Sequence, residues 1–398
     1  MYIINSRSYE NQVNTGFNKL SHDYYNFITS IDNFYILPFP YRHYHNFFIR
    51  IVVIPYSAII SHTKSWSYDM DKVILSEEYN LFDTNLNIIK KLDLQNNKSY
   101  ITAVCSLGRV DILEYFQCKN KIINYSHEAL NYASENGHIN VLIWWSNSGL
   151  PLKYTENALT GASANGHVEV LTWWFNSGLQ LQYSEKALDE ASENGHVEVL
   201  NWWFNSGLPL KYSENAISKA CANGNMNVLS CWSDTKLPLQ FWEFTIDATS
   251  GCGHVEVLKW WKNQELPFDY TEKAIDDASS RGHVEVLKWW FNNTLELKYT
   301  EKAIDDASSG GHVEVLKWWF NNTLELKYTE MAIDKASQNG YVDVLQAWYD
   351  SGVELKYTEY ALLLPLKNNN NAVLRWWVNS KLDLIYDPKY EYIVESYM

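Results

Sequence analysis

Proline and glycine are scarce in this 398-residue chain, 9 and 17 in all, and Lys plus Arg, at 32, are outnumbered by 47 Asp plus Glu. With 46% hydrophobic residues, 15% aromatics and 18 Trp, the composition is that of a folded protein, not a disordered one. The formal charge of −15 repels phosphate backbones and argues against sequence-independent nucleic-acid binding, which needs clustered Lys and Arg. A basic target surface fits better. The five cysteines, Cys105, Cys118, Cys221, Cys231 and Cys252, are odd in number and lack the spacing of a metal site or a disulfide framework, so a reducing, intracellular compartment is expected. The polar start MYIINSRSYENQVN has no apolar core followed by a cleavage site, and no secretory signal is expected. The longest apolar run, Ile49 to Ile60, is broken by Arg50, Pro55 and Ser57. It falls short of the roughly 20 residues that span a bilayer, and no membrane segment is expected.

What is abundant is self-similarity. Gly137-His138, Gly166-His167, Gly195-His196, Gly253-His254, Gly282-His283 and Gly311-His312 lie on one 29-residue lattice. Filling the lattice adds Gly108-Arg109, Gly224-Asn225, Gly340-Tyr341 and finally Asn369, for ten repeats, nine of them with glycine. The repeats Tyr270 to Lys298 and Tyr299 to Lys327 differ only at Arg281 against Gly310, the mark of duplication. A fixed period of this size means a solenoid, in which each repeat packs on its neighbours.

Within one repeat, Thr271 is placed to cap free amides and Glu272 follows where the helix dipole favours an acid, so the first helix is predicted to start at Thr271. Ala274, Ile275 and Ala278 form a narrow apolar stripe whose alanines permit close approach of a neighbouring helix. Gly282 turns the chain in a left-handed conformation, as Asn369 does in the last repeat. His283 then opens a second helix with Val286, Leu287 and Trp290 inward and Glu285 and Lys288 toward water. The short loop makes the two helices antiparallel. Gly149, Gly178, Gly207 and Gly352 stop the second helix, and the connector, as at Asn147 to Tyr154 or Asn205 to Tyr212, points its two leucines inward while its Tyr covers the next helix.

The run Ala-Ser-x-x-Gly-His-Val-Glu-Val-Leu-Lys-Trp-Trp, as at Ala278 to Trp290, resembles the ankyrin repeat from roughly Ser99 to Tyr386. The family's Thr-Pro-Leu-His start is replaced by Lys273-Ala274-Ile275-Asp276, and each repeat is four residues shorter than the common 33. The missing residues fall where ankyrin repeats carry a protruding finger, which implies a stunted finger row and a shallower groove. Double-Trp, Asn-rich repeats look most like ankyrin proteins of giant amoeba viruses and of amoebae. The leader resembles the N-terminal module of those proteins through Leu37-Pro38-Phe39, Ile49-Arg50-Ile51-Val52-Val53-Ile54-Pro55 and Asp71-Lys72-Val73-Ile74-Leu75. Read from its residues alone, the leader shows no 29-residue period, and the β-branched run Ile49 to Ile54 is a strand bounded by Pro55. The expected organisation is a mainly α protein: a small β-containing module over 1–96, an ankyrin-like solenoid over 97–389 with degenerate end repeats, and a tail over 390–398. Pro365 inside the last first-helix agrees with an end repeat.

Candidate chemistry is thin. Successive repeat histidines stand about 10 Å apart at normal helix spacing, too far to share a metal; the resemblance implies that each ties its turn together by hydrogen bonding. His43 and His45 form a pair without further ligands. Adjacent Trp residues, such as Trp144-Trp145 and Trp289-Trp290, point about 100° apart on a helix, so one is core and the other is expected to pack on the neighbouring repeat. Carboxylate pairs recur with the repeat, whereas catalysis needs one unique constellation. No Walker-type loop, dinucleotide fingerprint, nucleophile elbow, zincin helix or kinase signature is found. No enzyme, cofactor or metal site is therefore expected. Asp189, Glu190, Asp276, Asp277, Asp305, Asp306 and Asp334 are the candidate partner contacts, on a concave face formed by successive first helices. The expected function is a protein-interaction scaffold for a host protein; the alternative makes the repeats a targeting arm for an effector activity in the leader.

Overall fold

The computed structural model describes residues 2–5, 16–19, 29–30, 48–53, 60–62, 68–70, 72–82, 94–118, 124–293, 297–386 and 388–391. The protein is mainly helical. Ahead of the helices lie short extended segments, the longest being Phe48–Val53 and Lys72–Asn80, which run antiparallel to one another. Leu37-Pro38-Phe39, Pro55 and the pair His43 and His45 lie outside the described residues, as do 392–398 of the tail.

Among the described residues, ten helix pairs follow at the predicted period. The first helices are Lys98–Ser106, Glu128–Glu135, Asn157–Ala164, Lys186–Glu193, Glu214–Ala222, Thr245–Gly251, Lys273–Ser280, Lys302–Ser309, Met331–Asn339 and Tyr360–Lys367. The second helices are Val110–Cys118, Ile139–Asn147, Val168–Asn176, Val197–Asn205, Met226–Asp234, Val255–Asn263, Val284–Asn293, Val313–Asn321, Val342–Ser351 and Asn371–Ser380. Two compact units divide the chain: Met1–Ala191 with Asn201–Lys211, and Ser192–Leu200 with Tyr212–Met398. Within each, first helix packs on first helix, as Glu128–Glu135 does on Asn157–Ala164 and Lys273–Ser280 on Lys302–Ser309, while second helices touch more lightly. The alanine pair explains the difference: Ala274, Ala278, Ala303 and Ala307 are fully buried and bring the backbones together.

The first helix begins two residues later than predicted, at Lys273, because Thr271 caps it from outside: its hydroxyl accepts the Lys273 amide at 3.3 Å. Gly282 at φ +82° makes the left-handed turn into the second helix, and Asn369 makes the same turn at φ +54°. Gly149, Gly178, Gly207 and Gly352 also take positive φ where second helices end. In the connector Leu150 and Leu152 are half-buried between exposed Pro151 and Lys153. The following Tyr does something other than cover the next first helix. Tyr154 packs on Trp174 of its own repeat, ring centres 4.6 Å apart, and its hydroxyl donates to the Gln180 carbonyl at 2.8 Å. Lys153, Lys211, Lys298, Lys327 and Lys356 place ammonium groups 4.3 to 4.7 Å above the Tyr ring 28 residues earlier.

The second Trp of each pair is the core residue. Trp145, Trp174, Trp203, Trp261, Trp290, Trp319 and Trp377 are fully buried, as are Trp232 and Trp348 at the same lattice position in repeats with a single Trp. The first Trp stands edge-on to it, 5.2 Å away for Trp289 on Trp290. It also meets an aromatic ring from the preceding second helix, Phe175 against Trp202 and Phe291 against Trp318 at 6.0 Å. Each buried Trp contributes several kcal/mol, on the order of 3–5 by truncation to alanine.

Candidate functional site

The candidate face is the row of first helices, and its polar residues fall into two classes. Asp189, Asp276, Asp305 and Asp334 are only 3%, 6%, 8% and 4% exposed. Expected as surface contacts, they are instead built into the array. The amide of Thr300 donates to Asp276 Oδ1 at 2.9 Å and its hydroxyl to Oδ2 at 2.6 Å. Thr329 holds Asp305 at the same distances, Thr358 holds Asp334 by amide and hydroxyl, and Thr271 holds Asp247. The carboxylate thus fixes the start of the next repeat's first helix, which is why it is inside. Bonds to a charged acceptor contribute roughly 1.5–3 kcal/mol each, set against the cost of burying the charge. Burial wins in part: it pushes the carboxyls of Asp276, Asp305 and Asp334 above the usual aspartate range, against the lowering effect of their Thr donors.

Glu190 and Asp277 are half-exposed and Asp306 exposed, so the candidates that reach solvent are these three. Around the duplicated repeats, Glu272, Lys273, Asp276, Asp277, Thr300, Glu301 and Lys302 line a surface groove of about 460 Å³. Glu272, Lys273, Glu301 and Lys302 stand exposed at its edge. A groove with alternating charges on closely packed helices can hold a polar side chain or a peptide segment; it offers no paired nucleophile and base. Among the described residues no group of three or more His, Cys, Asp or Glu converges on one point, and no helix is long and apolar enough to cross a membrane.

The histidines tie repeats to one another instead of closing their own turns. His138 Nε2 donates to the Ser106 carbonyl of the preceding repeat at 2.9 Å. Burial pushes the imidazoles of His138 and His283 below the usual histidine value, which keeps them neutral donors. The rings of His138, His167, His254, His283 and His312 are seated on the preceding repeat's glycine: a Cβ on Gly108 would lie 2.7 Å from His138, and one on Gly253 would lie 2.6 Å from His283. The glycine therefore serves two purposes, the left-handed turn and the seat.

A third tie escaped the sequence reading. The indole N–H of the buried Trp donates to a buried Ser hydroxyl 40 residues earlier, Trp174 to Ser134 at 2.9 Å, Trp203 to Ser163 at 3.0 Å and Trp319 to Ser279 at 3.2 Å. The signal was present, since Ser stands at this lattice position in seven of the ten first helices. Where the lattice carries Cys221 instead, Trp261 donates to the Pro267 carbonyl at 2.9 Å. Trp145 meets Cys105 Sγ at 3.3 Å, and burial pushes that thiol up to about 12.

No family model matches this chain, and no curated protein matches it.

Proposed function

We propose that this protein is a non-enzymatic, ankyrin-like interaction scaffold that binds a host protein with a basic surface along its first-helix face, in the manner of the repeat proteins of giant amoeba viruses. One observation carries the reading. After the ties between repeats have taken up the buried Asp, Ser, Thr and His groups, two neighbouring and almost identical repeats still present Glu272, Lys273, Asp277, Glu301 and Lys302 around one groove. Duplicated surface chemistry suits a partner that engages more than one repeat. The host cytoplasm is its compartment, and residues 1–96 form a small β-containing module joined to the first repeat.

The test compares the full chain with a variant carrying Asp277→Lys, Asp306→Lys and Glu190→Lys. These side chains reach solvent, so the fold is retained. Cross-linking through Lys273 and Lys302 in host-cell lysate is expected to capture a partner that the variant loses. A partner captured equally by both proteins would remove the first-helix face from the reading. A partner that cross-links to residues 1–96 in both proteins would support the leader as effector.

A further inference from the structure

The duplicated repeats, Tyr270 to Lys298 and Tyr299 to Lys327, differ at one position, Arg281 against Gly310. That position lies at the joint with the preceding repeat. The guanidinium of Arg281 donates to the Gly251 carbonyl at 3.2 Å. The imidazole of His283 donates to the same carbonyl, and its Nδ1 lies over the Gly253 seat, where a Cβ would be 2.6 Å away. One oxygen of the preceding repeat thus accepts from two side chains, a permanent cation and a group that charges between about pH 5 and 8. In the twin repeat Gly310 brings no side chain to His312. We propose that the joint ahead of Tyr270 is acid-sensitive: a proton taken up by His283 beside Arg281 sets two cations on the Gly251 carbonyl and loosens this repeat from its predecessor, whereas the twin repeat lacks the second cation.

The surroundings of His283 favour that response. Burial first, and then Arg281 on its own turn, His254 on the turn before and His312 on the turn after, hold the imidazole below the usual value of 6.5, against the raising effect of its bond to Gly251. Asp277 is an acid at this joint, its side chain packed against Gly251, and Cys252 Sγ lies 3.9 Å from the guanidinium. For a base so lowered, the unfolded state binds more protons than the folded state in the interval between the two values. The joint's contribution is therefore fully present above 6.5 and is lost as pH falls through the lowered value. The chain also carries an insensitive version of the tie. At the equivalent position Asn225 donates through Nδ2 to the Ser192 and Glu193 carbonyls at 3.1 and 2.8 Å, with no ring to titrate.

The test compares the full chain with Arg281→Gly, which gives this repeat the residue its twin already has, and with His283→Asn, which copies Asn225. Amide exchange, corrected for intrinsic rate, is read on peptides from 241–253, a sequence that occurs once in the chain and contains the helix ending at Gly251. As pH falls from about 7.5 to about 5.5, wild type is expected to speed up about tenfold, the effect of a one-unit difference in protonation on an opening equilibrium. Arg281→Gly should speed up by only about threefold, because solvent screens part of the charge on an exposed guanidinium and the burial of the ring remains. His283→Asn should respond least. The buried carboxyls of Asp276 and Asp305 act in the opposite direction and are common to all three proteins, so the comparison isolates the joint. Equal acceleration in wild type and Arg281→Gly would overturn the proposal, and so would a wild type indifferent to acid. Ring-proton NMR gives a second reading that does not depend on opening. The His283 signal, assigned by its loss in His283→Asn, should titrate at higher pH in Arg281→Gly, and an unmoved midpoint would equally end the proposal.

Discussion

The repeats of the first compact unit and those of the second share their Trp–Ser ties but differ in how their first helices are joined. In the second unit four carboxylates, Asp247, Asp276, Asp305 and Asp334, each grip the Thr that begins the next repeat. The first unit has a buried carboxylate at this position only in Asp189, and the second also has Ser218 there, which accepts the Trp242 amide at 2.8 Å; in the first unit Asn131 makes both bonds to Thr155 without charge, its Oδ1 accepting the amide at 3.1 Å and its Nδ2 donating to the hydroxyl at 2.8 Å. One repeat later Thr160 is too short: its hydroxyl and that of Ser184 are buried without a hydrogen-bond partner, as is the hydroxyl of Thr102. The lesson is that geometry, not charge, is what this position requires. The carboxylate carries an electrostatic cost that the amide avoids, and the short hydroxyl forgoes the tie altogether.

The shared layer sets the scale. Trp174→Ala in the first unit and Trp319→Ala in the second should each lose about 4 kcal/mol in urea unfolding, from lost apolar burial plus the lost indole bond to Ser134 or Ser279. Amide exchange read on peptides from 125–185 and 270–385 would localise each loss. If the two losses differ by more than about 2 kcal/mol, the aromatic layer is not equivalent in the two units and the comparison has to be redrawn.

The polar ties come next. Asp305→Ala leaves the Thr329 amide and hydroxyl without acceptors and should cost about 2–3 kcal/mol. Asp305→Asn recreates the arrangement of Asn131 with Thr155 and should stay within about 1 kcal/mol of wild type. An asparagine as damaging as alanine would show that charge matters there after all.

Much of this was legible in the chain itself, because the 29-residue period, the left-handed glycines and the antiparallel helix pair follow from periodicity and backbone sterics alone. The inward stripe of Val286, Leu287 and Trp290 also placed the second Trp of that pair in the core, as the structure has it. The acceptor of its indole N–H was not legible, because it lies on another element of the array. The acids misled for a similar reason. Asp276 and Asp277 look alike as a solvated pair, yet one faces the Thr that begins the following repeat and the other faces water; which does so depends on the neighbour's position, and periodicity within one repeat is silent about that. The end repeats were recognisable as degenerate from Asn369 and Pro365.

A smaller gain should be available in the first unit. Thr160→Asn with Ser184→Thr supplies the amide and hydroxyl that meet in the neighbouring pair, and should stabilise the protein by about 1 kcal/mol while slowing amide exchange in 155–190. No gain would mean that the two hydroxyls are already satisfied by solvent, and the contrast between the units would then rest on charge alone.

The smallest effect separates the units by pH. Burial holds the carboxyls of Asp276, Asp305 and Asp334 above the usual value of 3.8, with Glu272 and Asp277 raising the first, Asp306 and Glu301 the second, and Glu330 the third against Lys335. For an acid so raised, the folded state binds more protons than the unfolded state in the interval between the two values. Its contribution to stability is therefore fully present below 3.8 and is lost as pH rises through the raised value. Exchange in 270–385 should accordingly slow, relative to its intrinsic rate, as pH is lowered toward that interval, and the triple variant Asp276→Asn, Asp305→Asn and Asp334→Asn should flatten the dependence. The neutral Asn131 tie predicts no such slope from its own position. A triple variant that kept the wild-type profile would place the titration elsewhere and leave the two kinds of tie distinguishable only by their bonds.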